Sequence, residues 1–123
     1  MNIRESAQDY LETILILGNE SDCVRSIDLA TYMQVTKQSV HRAVKNLKEQ
    51  GFISVNDKGY ITLEEKGKKI AEDTYEKHEI LSSFFVSIGV NKDIAYEDAC
   101  KIEHDISSES FEAIKKLMNK KGH

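Results

Sequence analysis

Proline is absent from this 123-residue chain, and no stretch of it reads as a linker, so the length fits one or two small domains around a core of respectable size. Cysteine is scarce. Cys23 and Cys100 are too few for the disulfide framework of a small secreted protein. Long apolar runs are missing as well: Ile14 to Leu17, the longest near the start, falls far short of the roughly 20 residues that a membrane span needs. No N-terminal apolar run follows a basic flank, so no signal peptide is indicated and a reducing cytoplasm is the expected compartment. Positive charge is not in excess either. A net charge of −4 and an isoelectric point near 5.6 do not favour nucleic acid as a partner on their face, because phosphate binding wants a positive field, and any such argument must rest on local charge. Internal repeats and low-complexity segments are also lacking.

What is present is helical periodicity. Residues 3 to 17 carry Ala7, Tyr10, Leu11, Ile14 and Leu17 at spacings of three and four, which predicts an amphipathic helix broken by Gly18-Asn19-Glu20-Ser21-Asp22. Ser26 is placed to cap a short helix with Ile27, Leu29, Ala30 and Met33, and Thr36 to cap the next, which ends at Gly51. Phe52 to Val55 and Tyr60 to Leu63 are β-type runs flanking Asn56-Asp57-Lys58-Gly59, a hairpin signal. Helix, helix, hairpin is the order of a winged helix-turn-helix. Beyond it a long helix is expected over 65 to 88 with Ile70, Ala71, Leu81, Phe85 and Ile88 buried, then a helix from Asn91 or Asp93 to about Ile106. A last one, capped by Ser107 or Ser108, carries Phe111, Ile114, Leu117 and Met118. The predicted fold is mainly α: a winged helix-turn-helix with a small β-hairpin wing over residues 1–63, followed by a helical metal-binding and dimerization domain over 64–123.

Two constellations carry chemistry. Cys100, Glu103 and His104 stand at i, i+3 and i+4, which on a helix turns a thiol, a carboxylate and an imidazole toward one side, away from the apolar stripe of Ile94, Ala95, Ala99, Ile102 and Ile106. Asp9 and Glu12 sit one turn apart on the first helix, opposite its apolar face, and read as a solvated acidic face or as ligands. His78 falls inside the apolar stripe of the long helix and reads as a satisfied core histidine or as a ligand. It is their coincidence in one small chain that points to a metal site. The second constellation is basic. From Thr36 to Gln50 four Lys or Arg face one Glu, a local charge of +3. Lys37, Gln38, Ser39, His41 and Arg42 stand where a recognition helix presents side chains to base edges, Arg being able to bond guanine bidentately. Lys45, Lys48 and the wing residue Lys58 suit phosphates. An ordinary solvated helix face is the bland alternative.

Four motifs in order, Gln8-Asp9-Tyr10-Leu11-Glu12, Val24-Arg25-Ser26-Ile27-Asp28-Leu29-Ala30, Lys77-His78-Glu79-Ile80-Leu81 and Glu97-Asp98-Ala99-Cys100-Lys101-Ile102-Glu103-His104, carry a resemblance. Across nearly all of its length the chain resembles the DNA-binding and dimerization domains of the diphtheria toxin repressor family, including its manganese transport regulator branch. The resemblance implies a homodimeric repressor, not an enzyme, that binds a double-stranded operator when loaded with Mn(II) or Fe(II), with Co(II) or Zn(II) possible in vitro and no membrane involved. It also implies a ligand set. Asp9, Glu12, His78, Glu103 and His104 match the manganese branch, whose remaining ligand at the place of Cys100 is usually Glu. Cys there is typical of the iron-responsive branch, which lacks the carboxylate pair on the first helix and uses further side chains where this chain has Ser82 and Tyr96. Oxygen ligands suit Mn(II) and a thiolate moves preference toward Fe(II), Co(II) or Zn(II), so both cellular metals stay open. An SH3-like third domain, frequent in the iron branch, has no room in this length; a minimal two-domain regulator and a shortened product both look this way. Two other classes stand beside this reading. One is a metal-independent winged-helix regulator with Cys100 as a redox or packing residue. The other is a metal hydrolase, disfavoured because no general base is left over outside the ligands.

Overall fold

The computed structural model describes residues 3–120, with side chains from residue 7 onward. Its elements are α1 (Ile3–Glu20), α2 (Ser26–Met33), α3 (Lys37–Glu49), β1 (Ile53–Val55), β2 (Ile61–Leu63), α4 (Glu65–Ser87), α5 (Lys92–Ile102) and α6 (Ser108–Lys120). Two compact units divide inside α4, after Asp73.

In the first unit, Tyr10, Leu11 and Ile14 of α1 meet Leu29 of α2, Val40 and Leu47 of α3, Ile53, Ile61 and Ala71 in one core. These are the three-four positions of each helix and the inward residues of each strand, so periodicity alone selects them. α1 passes through Gly18 instead of stopping at Leu17, and the Ser21 N–H still reaches the Leu17 carbonyl at 3.1 Å. A glycine costs a helix only about 1 kcal/mol, less than the packing of Leu15 and Leu17 on this core returns. The cap of α2 is Arg25 rather than Ser26: the Asp28 carboxylate reaches back to accept the Arg25 N–H at 2.9 Å. Thr36 caps α3 as expected, its hydroxyl oxygen accepting the Ser39 N–H at 3.1 Å. The turn between α2 and α3 is closed by Gln34, whose left-handed backbone (φ 57°) sends its N–H to the Ala30 carbonyl.

β1 and β2 pair antiparallel with Val55 opposite Ile61. The tip between them is fixed by Asn56, whose Oδ1 accepts the Lys58 and Tyr60 N–H groups at 2.9 and 3.0 Å. Gly59, at φ 82°, closes that turn. The Ile61 N–H also donates to the Val24 carbonyl at 2.7 Å, so the wing is tied to the segment that enters α2. Behind the wing, Gly67 in the first turn of α4 lies directly on the Phe52 carbonyl; an added Cβ would overlap its oxygen and stand 2.9 Å from its carbon. Gly67→Ala is therefore expected to lower stability by about 1–3 kcal/mol through a forced backbone shift. Gly18→Ala, with nothing within 4 Å of the new Cβ, should instead raise it by about 0.5–1 kcal/mol. Denaturant melts of the two variants check this, and equal signs would overturn the packing argument.

The second unit closes around Leu81 of α4, Ala99 of α5 and Phe111 of α6, with Ile80, Phe85, Ile102, Ile106 and Ile114 packed on them. Asn91 caps α5 by accepting the Asp93 N–H at 2.9 Å. Ser107 holds the start of α6 by accepting the Ser110 N–H at 3.1 Å. Two expectations fail here. Ile88 is 60% exposed because α4 ends at Ser87 and Gly89 (φ 105°) turns the chain away. α5 ends at Ile102, not near Ile106, because the Ile102 carbonyl accepts both the Asp105 and the Ile106 N–H (3.0 and 2.9 Å) and winds the chain into a turn.

Candidate metal centre and nucleic-acid face

Within the second unit, α4 supplies His78, α5 supplies Cys100, and the turn after α5 supplies Glu103 and His104. Glu103 is the C-cap of α5 with helical backbone (φ −59°, ψ −26°), its N–H donating to the Ala99 carbonyl at 3.0 Å, so the one-turn offset from Cys100 survives the end of the helix. Its carboxylate lies between two imidazoles. Oε2 is 3.2 Å from His78 Nδ1 and Oε1 is 3.5 Å from His104 Nε2. Cys100 Sγ approaches the same His78 Nδ1 at 3.6 Å.

Burial gives this group its meaning. Glu103 is only 2% exposed and His78 5%, whereas carboxylates are almost never fully buried without partners. Among the described residues Glu103 Oε1 makes no hydrogen bond and has only the 3.5 Å approach of His104 Nε2, a thin supply of partners for a buried carboxylate. The His78 imidazole is lowered in basicity by burial, but hydrogen bonding to Cys100 and Glu103, and their negative charge, outweigh this and push its pKa up to about 10. A thiol, a carboxylate and two imidazoles held together out of water fit a divalent transition metal, which takes His78 only in its deprotonated form.

Asp9 and Glu12 lie one turn apart on α1 of the first unit. Neither is on a solvated acidic face: Asp9 is half-buried and Glu12 is 9% exposed. His78 is buried, as its place in the apolar stripe predicts, yet it is bonded to a carboxylate and a thiol rather than packed as a bland core residue. Tyr96, which entered the sequence reading only as a departure from the iron branch, meets the His78 ring with centroids 4.3 Å apart. The signal was available, since Tyr96, Cys100 and Glu103 stand at i, i+4 and i+7 on one face of α5.

On the first unit, Lys37, Gln38, His41, Arg42 and Lys45 of α3 are exposed, as is Lys58 at the tip of the wing. Ser39 differs from them. It is half-buried, and its Oγ accepts the Thr36 hydroxyl at 2.9 Å, so it serves the cap. Arg25 adds an unexpected cation at the base of the wing, its guanidinium 4.9 Å from the centre of the Tyr60 ring.

Comparison with known proteins bears on the family and the fold. A family model described as the N-terminal DNA-binding domain of iron-dependent repressors matches residues 2–61, and one described as their metal-binding and dimerisation domain matches residues 64–123. The chain is 32% identical to the transcriptional regulator MntR of Escherichia coli over 97% of its own length and 77% of that protein's. Its fold is similar to the manganese regulator SloR, with a TM-score of 0.82 at 25% identity. It is also similar to a manganese-dependent transcriptional repressor in complex with manganese, with a TM-score of 0.85 at 27% identity. Each comparison covers 92% of this chain, which spans about half the length of those solved chains, 53% and 52%. Matches over both halves of the chain establish that it belongs to the iron-dependent repressor family of transcriptional regulators.

Proposed function

We propose that this chain is a metal-sensing transcriptional repressor that reads Mn(II) or Fe(II) and binds a double-stranded operator as a homodimer. The observation that carries the reading is the buried Glu103 carboxylate between His78 and His104 with Cys100 alongside. Asp9 and Glu12 complete the ligand set with His78, Cys100, Glu103 and His104. The relatives named for manganese support Mn(II); the thiol of Cys100 supports Fe(II), with Co(II) and Zn(II) as in vitro substitutes.

When bound, the cation supplies positive charge that four acidic groups, counting the thiolate, otherwise lack. The chain's own residues do the rest. Glu103 fixes both imidazoles from one carboxylate, and His78 gives up its proton. Because Leu11 and Ile14 of α1 share a core with Val40 and Leu47 of α3, anything that holds Asp9 and Glu12 also holds the reading helix. The dimer contact is drawn from the exposed apolar residues Val86, Ile88 and Ile94 of the second unit, which resemble an interface core more than a solvated surface. Among the described residues no helix is long and apolar enough to cross a membrane, and a DNA-binding repressor works in the cytoplasm.

DNA binding measured with Mn(II), Fe(II), Co(II) and Zn(II) under anaerobic, reducing conditions, with a chelator control, tests this reading. Tight binding that survives the chelator unchanged favours the metal-independent regulator instead.

With metal-saturated protein, Arg42→Ala and Gln38→Ala are expected to change which operator bases are preferred, at about 1–3 kcal/mol for a good bidentate contact. Lys58→Ala should weaken binding to all sequences alike and reduce the salt slope by about one. Should Arg42→Ala and Gln38→Ala leave affinity and base preference untouched on a selected operator, α3 is not the reader.

A further inference from the structure

A histidine that ligates a metal must hold its ring plane in one orientation, yet rotation about the bond to the imidazole is intrinsically broad. The usual constraint is a hydrogen bond made by the ring nitrogen that does not face the metal. In this chain Nδ1 of His78 is the nitrogen that meets the other donors, Glu103 Oε2 at 3.2 Å and Cys100 Sγ at 3.6 Å. The opposite nitrogen, Nε2, is buried and has no hydrogen-bond partner among the described residues. The constraint on the far nitrogen is thus absent among the described residues, and the contacts on the near one are with groups that would themselves hold the metal. What touches the ring instead is Tyr96, with centroids 4.3 Å apart and planes at 76°, the edge-to-face arrangement that aromatic rings prefer.

Tyr96 belongs to α5, one turn before Cys100, so the helix that brings the thiol also brings the ring that steadies the imidazole. The tyrosine is 49% exposed. With Ser82, Val86 and Lys92 it walls a cleft of about 410 Å³ that has His78 in its lining. A ring this exposed is not there for core packing alone, and its edge contact is with the His78 imidazole.

We infer that Tyr96 is a positioning residue: its ring holds the His78 imidazole in the orientation that directs Nδ1 at the metal beside Glu103 and Cys100. This rests on the metal-sensing reading above. The effect belongs to the ring, so Tyr96→Phe keeps it and Tyr96→Leu loses it.

The test uses the full chain in two states. In the metal-free protein, the ring-proton signals of His78 are followed by NMR, and they should shift in Tyr96→Leu, which removes the ring current, but stay close to the parent in Tyr96→Phe. In a Co(II) titration against a competing chelator, Tyr96→Leu should bind about 3- to 10-fold more weakly, the worth of one aromatic contact, and Tyr96→Phe as the parent does. A parent that fails to bind Co(II) overturns the metal reading and this inference with it. A parent that binds, with Tyr96→Leu matching it in affinity and in His78 signals, overturns the inference alone. Equal losses in Phe and Leu also overturn it, because they assign the effect to the hydroxyl.

Discussion

Replacing Glu103 with alanine is expected to abolish metal-dependent DNA binding while the helices remain. The carboxylate is the one group that meets two imidazoles, His78 through Oε2 at 3.2 Å and His104 through Oε1 at 3.5 Å, so its removal takes away a ligand and also the group that aligns two others. Structural sites built from four ligands are worth roughly 10–16 kcal/mol, which makes one ligand's share about 2.5–4 kcal/mol, roughly 70- to 800-fold in metal affinity. His104→Ala removes a ligand but not the alignment of His78, and should cost less. Circular dichroism separates loss of metal response from loss of fold, and anisotropy on a labelled operator with and without Mn(II) reads the response. Retention of the parent's metal dependence by Glu103→Ala, at unchanged helicity, would remove the carboxylate from the site and with it the central argument for metal sensing.

How much of this was legible in the sequence depends on what each element leans on. The winged helix-turn-helix was readable because its signals are local: a cap at Thr36, a turn at Asn56 to Gly59, and stripes such as Val40 to Leu47. The face of α5 was not read correctly. The apolar stripe of Ile94, Ala95, Ala99, Ile102 and Ile106 has Ile94 at one edge, and that edge is 52% exposed, while Ala95 and Ala99 are fully buried and Glu103 nearly so. Those three stand at i, i+4 and i+8, on one face. Both alanines stand on the expected stripe, but the buried face runs on past Ala99 to Glu103, about 40° further round the helix, instead of back to Ile94. Glu103 thus looked like a residue on the far side when it sits at the end of the alanine face. The burial of Asp9 and Glu12 was undecidable for a different reason, since an acidic pair one turn apart has the same local pattern whether water or protein covers it. Ser39 is the milder case: a serine three residues into a capped helix is as well suited to the cap as to a base edge.

Cys100→Glu should move the response toward Mn(II) and weaken it to Fe(II) and Co(II). Sulfur and oxygen donors differ in softness rather than in charge here, so the substitution changes which metal is preferred while keeping an anionic ligand in place. The thiol stands 3.6 Å from His78 Nδ1 and is half-buried, and Glu103, His78 and His104 are untouched by the change. A shift of roughly 10- to 100-fold in the ratio of Mn(II) to Co(II) affinity is expected, the range over which groups at a metal site alter its binding. Co(II) offers an internal check. The parent complex should show thiolate-to-cobalt charge-transfer absorption that Cys100→Glu lacks, whereas Cys23→Ser, at an exposed thiol in the first unit, should keep it. Coincident spectra for the parent and Cys100→Glu would show that Cys100 is not a ligand, and within the second unit the cation would then rest on Glu103, His78 and His104.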